Sequence, residues 1–244
     1  MGATYDSEER NPPPWCLPGT RKEELEKIDA WAKAGAEGRR VLWLRGPAGV
    51  RKSATAWTVS EICAGRNQLA ASFFFARTAT HRNDARFTFP TITVQIALSA
   101  PEKRQRLDRI LSDDPFIAER VLGSVDLLAS LLDDGSAPVP QASSPFLVTI
   151  DECQRNDDQC WILTQVSRMV HTYHLPLWFL IVSRSESHLR EAFEERDLAS
   201  VTKVLSLYGD HRASNNVFMY LREEFSRIYC AKRYREVMQS VPRP

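Results

Sequence analysis

Apolar and polar positions follow two periods along this chain, and the two take turns. Short apolar runs of strand length lie at residues 41–45, 69–75, 146–150, 177–182 and 201–207. Helical patterns separate them. In residues 21–32, Leu25, Ile28, Trp31 and Ala32 recur at helical spacing. Further helices are predicted at 52–64, 89–100, 159–173 and 187–195. A closing stretch, 213–229, sets Val217, Tyr220, Leu221, Phe225 and Ile228 on one face. Residues 101–144 are charged and partly helical, and their Gly/Ser/Pro-rich end at 135–145 reads as a surface loop. Residues 1–20, with Pro12-Pro13-Pro14 and Pro18-Gly19, read as an extended tail or linker. Thr20, with Glu23 three residues on, predicts a capping box at the start of the first helix.

Strands alternating with helices imply crossover connections and a parallel sheet covered on both faces. The fold class expected is therefore α/β, with five parallel strands between helical layers. In such sheets a ligand sits beyond the carboxyl ends of the strands, so the residues just after each apolar run carry the most information.

Composition narrows the function. The 244 residues suffice for one large domain without a disulfide or metal staple. A net charge of +1 argues against a dedicated nucleic-acid surface, and no run is long enough to span a membrane. Five cysteines, an odd number at irregular spacing and with no secretory signal, read as reduced thiols in a cytoplasmic or nuclear setting. Cys153, Cys160, His171 and His174 are spaced C-x6-C and H-x2-H, which fits no closed zinc site. Arg77, His81, Arg82 and Arg86 form a basic cluster, read either as a solvated loop or as a phosphate or protomer contact. Trp43, Trp57, Trp161 and Trp178 read as core.

After the first strand come Gly46, Pro47, Ala48, Gly49, Val50, Arg51, Lys52, Ser53 and Ala54. The phosphate-loop signature is G-x-x-x-x-G-K-[ST]. In it, backbone N–H groups cradle phosphate oxygens, the lysine reaches the terminal phosphates, and the hydroxyl binds magnesium. Gly46, Lys52 and Ser53 are in register, but Arg51 stands where the second glycine belongs. Taken alone, the match leaves a simple Gly/Pro turn open. The third strand runs directly into Asp151 and Glu152, an acidic pair that suits a magnesium ligand and a base for attacking water. A helix cap or a solvated strand end is the bland alternative. The fourth strand ends in Ser183 and Arg184, placing a cation at the same edge.

Together these residues resemble the NACHT domain of fungal STAND-type P-loop NTPases, the nephrocystin-3-like N-terminal type. The resemblance begins at residues 12–21 and continues through 41–53, 69–75, 89–92, 150–153 and 179–184. It extends to Tyr220-Leu221-Arg222-Glu223-Glu224-Phe225. It implies a nucleotide-binding signalling switch holding ATP (or GTP) and Mg2+, with slow hydrolysis at most. It also implies that Lys52 and Ser53 are the phosphate and magnesium residues, with Asp151 as a second metal ligand. Asp151, Glu152 and Arg184 would be the catalytic set. The domain would span residues 21–208, after a linker at 1–20 and before a helical extension from 209 to 244. The strand at 41–45 would be near the centre of the sheet, with 177–182 between it and 146–150.

Three features depart from the family pattern. Arg51 crowds the approach of phosphate to the backbone. The strand meets Asp151 without the usual extra residues. The chain stops where relatives continue, which reads as a fragment or truncated member. Expected partners are nucleotide and, through flanking domains or self-association, other signalling proteins; neither nucleic acid nor membrane is expected. The alternative is a nucleotide-independent remnant or interaction module whose Arg51 fills the phosphate site.

Overall fold

In the computed structural model, residues 3–7, 16, 20–34, 39–117, 123–132, 146–151, 155–207, 221–222 and 225–226 are described. Five strands form one sheet: β1 (Val41–Arg45), β2 (Leu69–Phe74), β3 (Phe146–Asp151), β4 (Leu177–Ser183) and β5 (Thr202–Ser206). Their order is β2-β3-β4-β1-β5, and every pairing is parallel. β4 separates β1 from β3, as the resemblance implied. The helices are α1 (Lys22–Ala32), α2 (Lys52–Gly65), α3 (Thr88–Leu98), α4 (Pro101–Asp113), α5 (Gly123–Leu132), α6 (Asn156–His171), α7 (Ser187–Glu194) and α8 (Arg196–Val201).

The strand period of two divides the core into two layers. On one face Leu42, Leu44, Leu180 and Val182 pack against Ile28 and Trp31 of α1 and Ala56, Trp57 and Val59 of α2. On the other, Val41, Trp43, Phe179 and Ile181 meet Phe89 and Ile92 of α3, Val125 and Leu128 of α5, and Val166 and Met169 of α6. β4 is buried along its whole length, as a central parallel strand should be. Each such large apolar side chain contributes about 1.5–3 kcal/mol on burial. Trp43, Trp57 and Trp178 are buried, and Trp161 packs at the margin of the larger cluster.

Four readings need correction or refinement. Arg21, not Thr20, is the N-cap of α1; it sits in the left-handed region at φ 56, and its own side chain makes no capping hydrogen bond. Residues 3–7 and 16, from the stretch read as an extended tail, are docked. Phe74 N–H donates to Ala3 O, Trp57 Nε1 to Tyr5 O, and Cys16 N–H to Thr58 Oγ1. Of the basic cluster, Arg77, His81 and Arg86 are exposed, with Arg86 paired to Asp84, whereas Arg82 is buried with Nε donating to Phe74 O. The short helix α8 was not anticipated. Of the helix expected at 213–229, only residues 221–222 and 225–226 are described, and they are helical.

β2 is an edge strand. Gln95 of α3 accepts from Ser72 N–H through Oε1 and donates to Ser72 O through Nε2. The outward backbone groups of Ser72 are thereby bonded by a side-chain amide.

Candidate functional site

The strand registers set the sheet's carboxyl edge. Asp151 lies level with Val182 of β4 and Phe74 of β2, and Arg45 lies level with Ser183 and Ser206. Gly46 follows Arg45 at this edge. Leu207 N–H donates to Arg45 O at 2.7 Å, which brings the chain leaving β5 against the start of the loop. A Cβ on Gly46 would lie 2.5 Å from Leu207 O and 2.9 Å from Val50 Cγ2. Glycine is therefore required there by packing as well as by the phosphate motif.

Pro47, Ala48 and Gly49 are exposed. Gly49 has φ 82, with open space where a Cβ would stand. Arg51 is the N-cap of α2 at φ 61, ψ 37, the left-handed conformation a glycine adopts freely. The departure from glycine thus leaves that backbone conformation in place, at a conformational cost of about 1–2 kcal/mol. The Arg51 carbonyl starts the helix, accepting from Thr55 N–H at 3.1 Å and Thr55 Oγ1 at 3.2 Å. Lys52 is buried, and its Nζ donates to Pro47 O at 3.0 Å across the loop. Ser53 is half-buried and Ala54 buried on the first turn of α2.

Asp151 is the buried last residue of β3, with Phe75 N–H donating to its carbonyl at 3.1 Å. Glu152 lies outside the described residues. Arg184 is exposed just past β4. Ser183 accepts from Trp43 Nε1 at 2.8 Å and donates to Arg184 O at 3.0 Å, tying the end of β4 to the middle of β1. Ser60 of α2 bonds Thr149 Oγ1 of β3 at 3.0 Å, fixing the helix behind the loop to the strand that carries Asp151. The fold therefore collects the loop, Asp151 and Arg184 at one edge of the sheet.

Sequence reasoning assigned no role to Arg21. Its Nη2 donates to Val50 O in the loop at 3.1 Å, and its Nη1 pairs with Glu24 Oε1 at 2.8 Å. A signal was present: a cation at a helix N-terminus opposes the helix dipole and needs a partner elsewhere.

A parallel sheet ordered β2-β3-β4-β1-β5, with a glycine-bearing loop from β1 into the N-terminus of α2, defines the class: a P-loop nucleotide-binding fold. The chain belongs to the nephrocystin-3 N-terminal family, whose match runs over residues 20–184, from the start of α1 to Arg184. No curated protein matches it significantly in sequence. Among solved structures, a chain of Drosophila ORC bound to poly(dA/dT) DNA and Cdc6 is similar over 86% of this chain and 35% of its own, at 11% identity and a TM-score of 0.48. A chain of C. elegans PCH-2 is similar over 93% of this chain and 49% of its own, at 16% identity and a TM-score of 0.39. This chain spans less than half the length of either. None of the described helices is long and apolar enough to cross a membrane.

Proposed function

We propose that this chain is a nucleotide-operated switch that takes ATP (or GTP) with Mg2+ at the loop after β1. The observation that carries the reading is Arg51 at φ 61: the substituted position keeps the backbone conformation that glycine would supply. Gly49, with open space above it, and the N-terminus of the 14-residue helix α2 suit an anion as well. In this reading Lys52 exchanges Pro47 O for terminal phosphate oxygens, and Ser53 and Asp151 hold the metal. Bound magnesium would neutralise charge on the phosphates. Glu152 would orient or deprotonate water, and Arg184 would sense the terminal phosphate. The finer assignment, a NACHT-type domain of the fungal STAND kind with residues 21–208 as the nucleotide-binding unit, draws on the motif resemblance. So does a role in signalling assembly.

A second reading has its own observation. Lys52 Nζ on Pro47 O closes the loop on itself, as expected of a remnant that no longer binds nucleotide. Calorimetric titration of the chain with magnesium-ATP separates the two. Saturable binding that disappears in Lys52→Ala supports the switch; no heat from wild type or from Arg51→Gly supports the remnant.

A further inference from the structure

We propose that Arg21 is a positioning residue of the phosphate loop, clamping the Val50 carbonyl so that the loop and the start of α1 move together. Its functional consequence rests on the nucleotide reading above; the clamp itself does not.

Arg21 sits where two general preferences oppose it. It is a non-glycine residue at φ 56, and it is a cation at the N-terminus of an 11-residue helix. Contacts from a distant segment hold it there. Its side chain is only 12% exposed; Nη1 is seated on Glu24, and Nη2 reaches Val50 O, 29 positions along the chain. Val50 is the residue before Arg51, and a trans peptide is planar with C=O and N–H pointing opposite ways. Fixing Val50 O toward α1 therefore turns the Arg51 N–H away from α1. Phosphate loops hold their anion through such N–H groups, so the orientation of this peptide decides whether that donor is available. Cys16 N–H on Thr58 Oγ1 docks the preceding segment onto α2.

Hydrogen exchange of the intact chain without nucleotide tests the clamp directly. In Arg21→Ala the amides of residues 49–53 should exchange about tenfold faster, while those of β4 stay unchanged. Asp29→Asn, which removes an ion pair elsewhere on α1, should leave the loop amides as they are. Calorimetry should show magnesium-ATP binding weakened about tenfold in Arg21→Ala, with a smaller loss in Glu24→Ala, which keeps the guanidinium but removes its seat. If wild type binds no nucleotide yet loop exchange quickens in Arg21→Ala, the nucleotide reading fails and the clamp stands. Unchanged loop exchange in Arg21→Ala overturns the clamp whatever the nucleotide result. Should Arg21→Ala not fold, Glu24→Ala decides: faster loop exchange supports the clamp, and none overturns it.

Discussion

An L-residue at φ 61 is strained by about 1–2 kcal/mol relative to glycine, and part of that returns as extra entropy of the unfolded chain when glycine replaces it. Arg51→Gly should therefore leave the melting temperature unchanged or raise it by a few degrees. On the switch reading it should also tighten magnesium-ATP binding about ten- to a hundredfold. Lys52→Ala in the same background should cancel that gain. The remnant reading expects the opposite: a lower melting temperature, through loss of a structural cation, with no binding acquired. Paired melts and titrations of the three proteins decide between them. The substitution at residue 51 was visible in the sequence, but its backbone conformation was not, because the identity of a residue does not fix its φ. Arg21 escaped notice for a similar reason. Its partner Val50 contributes only a main-chain carbonyl, which every residue carries and no motif records.

At the level of elements, the joint between β1 and β5 is the tightest point of the site. In Gly46→Ala the new methyl meets Leu207 O at 2.5 Å, so backbone must shift. Overpacking of this kind costs about 1–3 kcal/mol, and denaturant melts should show it even with nucleotide absent. The α1–α2 pair depends on charge as well. Asp29 takes Lys33 Nζ at 2.6 Å and also pairs with Arg66 of α2. These contacts, Lys33 first, hold its carboxyl below the ordinary 3.8. A lowered carboxylate pKa stabilises the fold above the unfolded value, and the contribution is lost as pH falls through the folded value. Asp29→Asn should thus cost stability at pH 7, and the cost should shrink as pH falls below 3.8 and vanish only below the folded value. With both cations substantially exposed, the loss stays under about 1 kcal/mol. Unfolding midpoints of the two proteins at several pH values check the sign. The strands were legible to within about a residue, since each is an apolar run closed by polar or glycine residues. Thr20 and Glu23 suggested a capping box with Thr20 as N-cap, whereas Arg21 takes that position. The proline content of residues 1–20 pointed to a tail, whereas Ala3 and Tyr5 dock through main-chain carbonyls that composition does not report. Arg82 read as surface charge and is buried under the end of β2 instead.

For the molecule as a whole, a ligand that binds only the folded state adds stability in proportion to the logarithm of its concentration. At a hundredfold over Kd this is about 2.7 kcal/mol, or roughly 5–10 °C in Tm for a chain of this size. A scan with magnesium-ATP should show that shift, and magnesium alone should not; a flat response to both would favour the remnant. The carboxamide of Gln95 also bears on how such molecules meet one another. By pairing with Ser72 on both its donor and its acceptor, it mimics two rungs of a neighbouring strand that is not there. Ala3 O takes the next outward donor, Phe74 N–H. A foreign strand approaching β2 finds those hydrogen-bonding positions already answered from within the same chain. Copies gathered at high local concentration would then find contact at this border of the sheet unproductive.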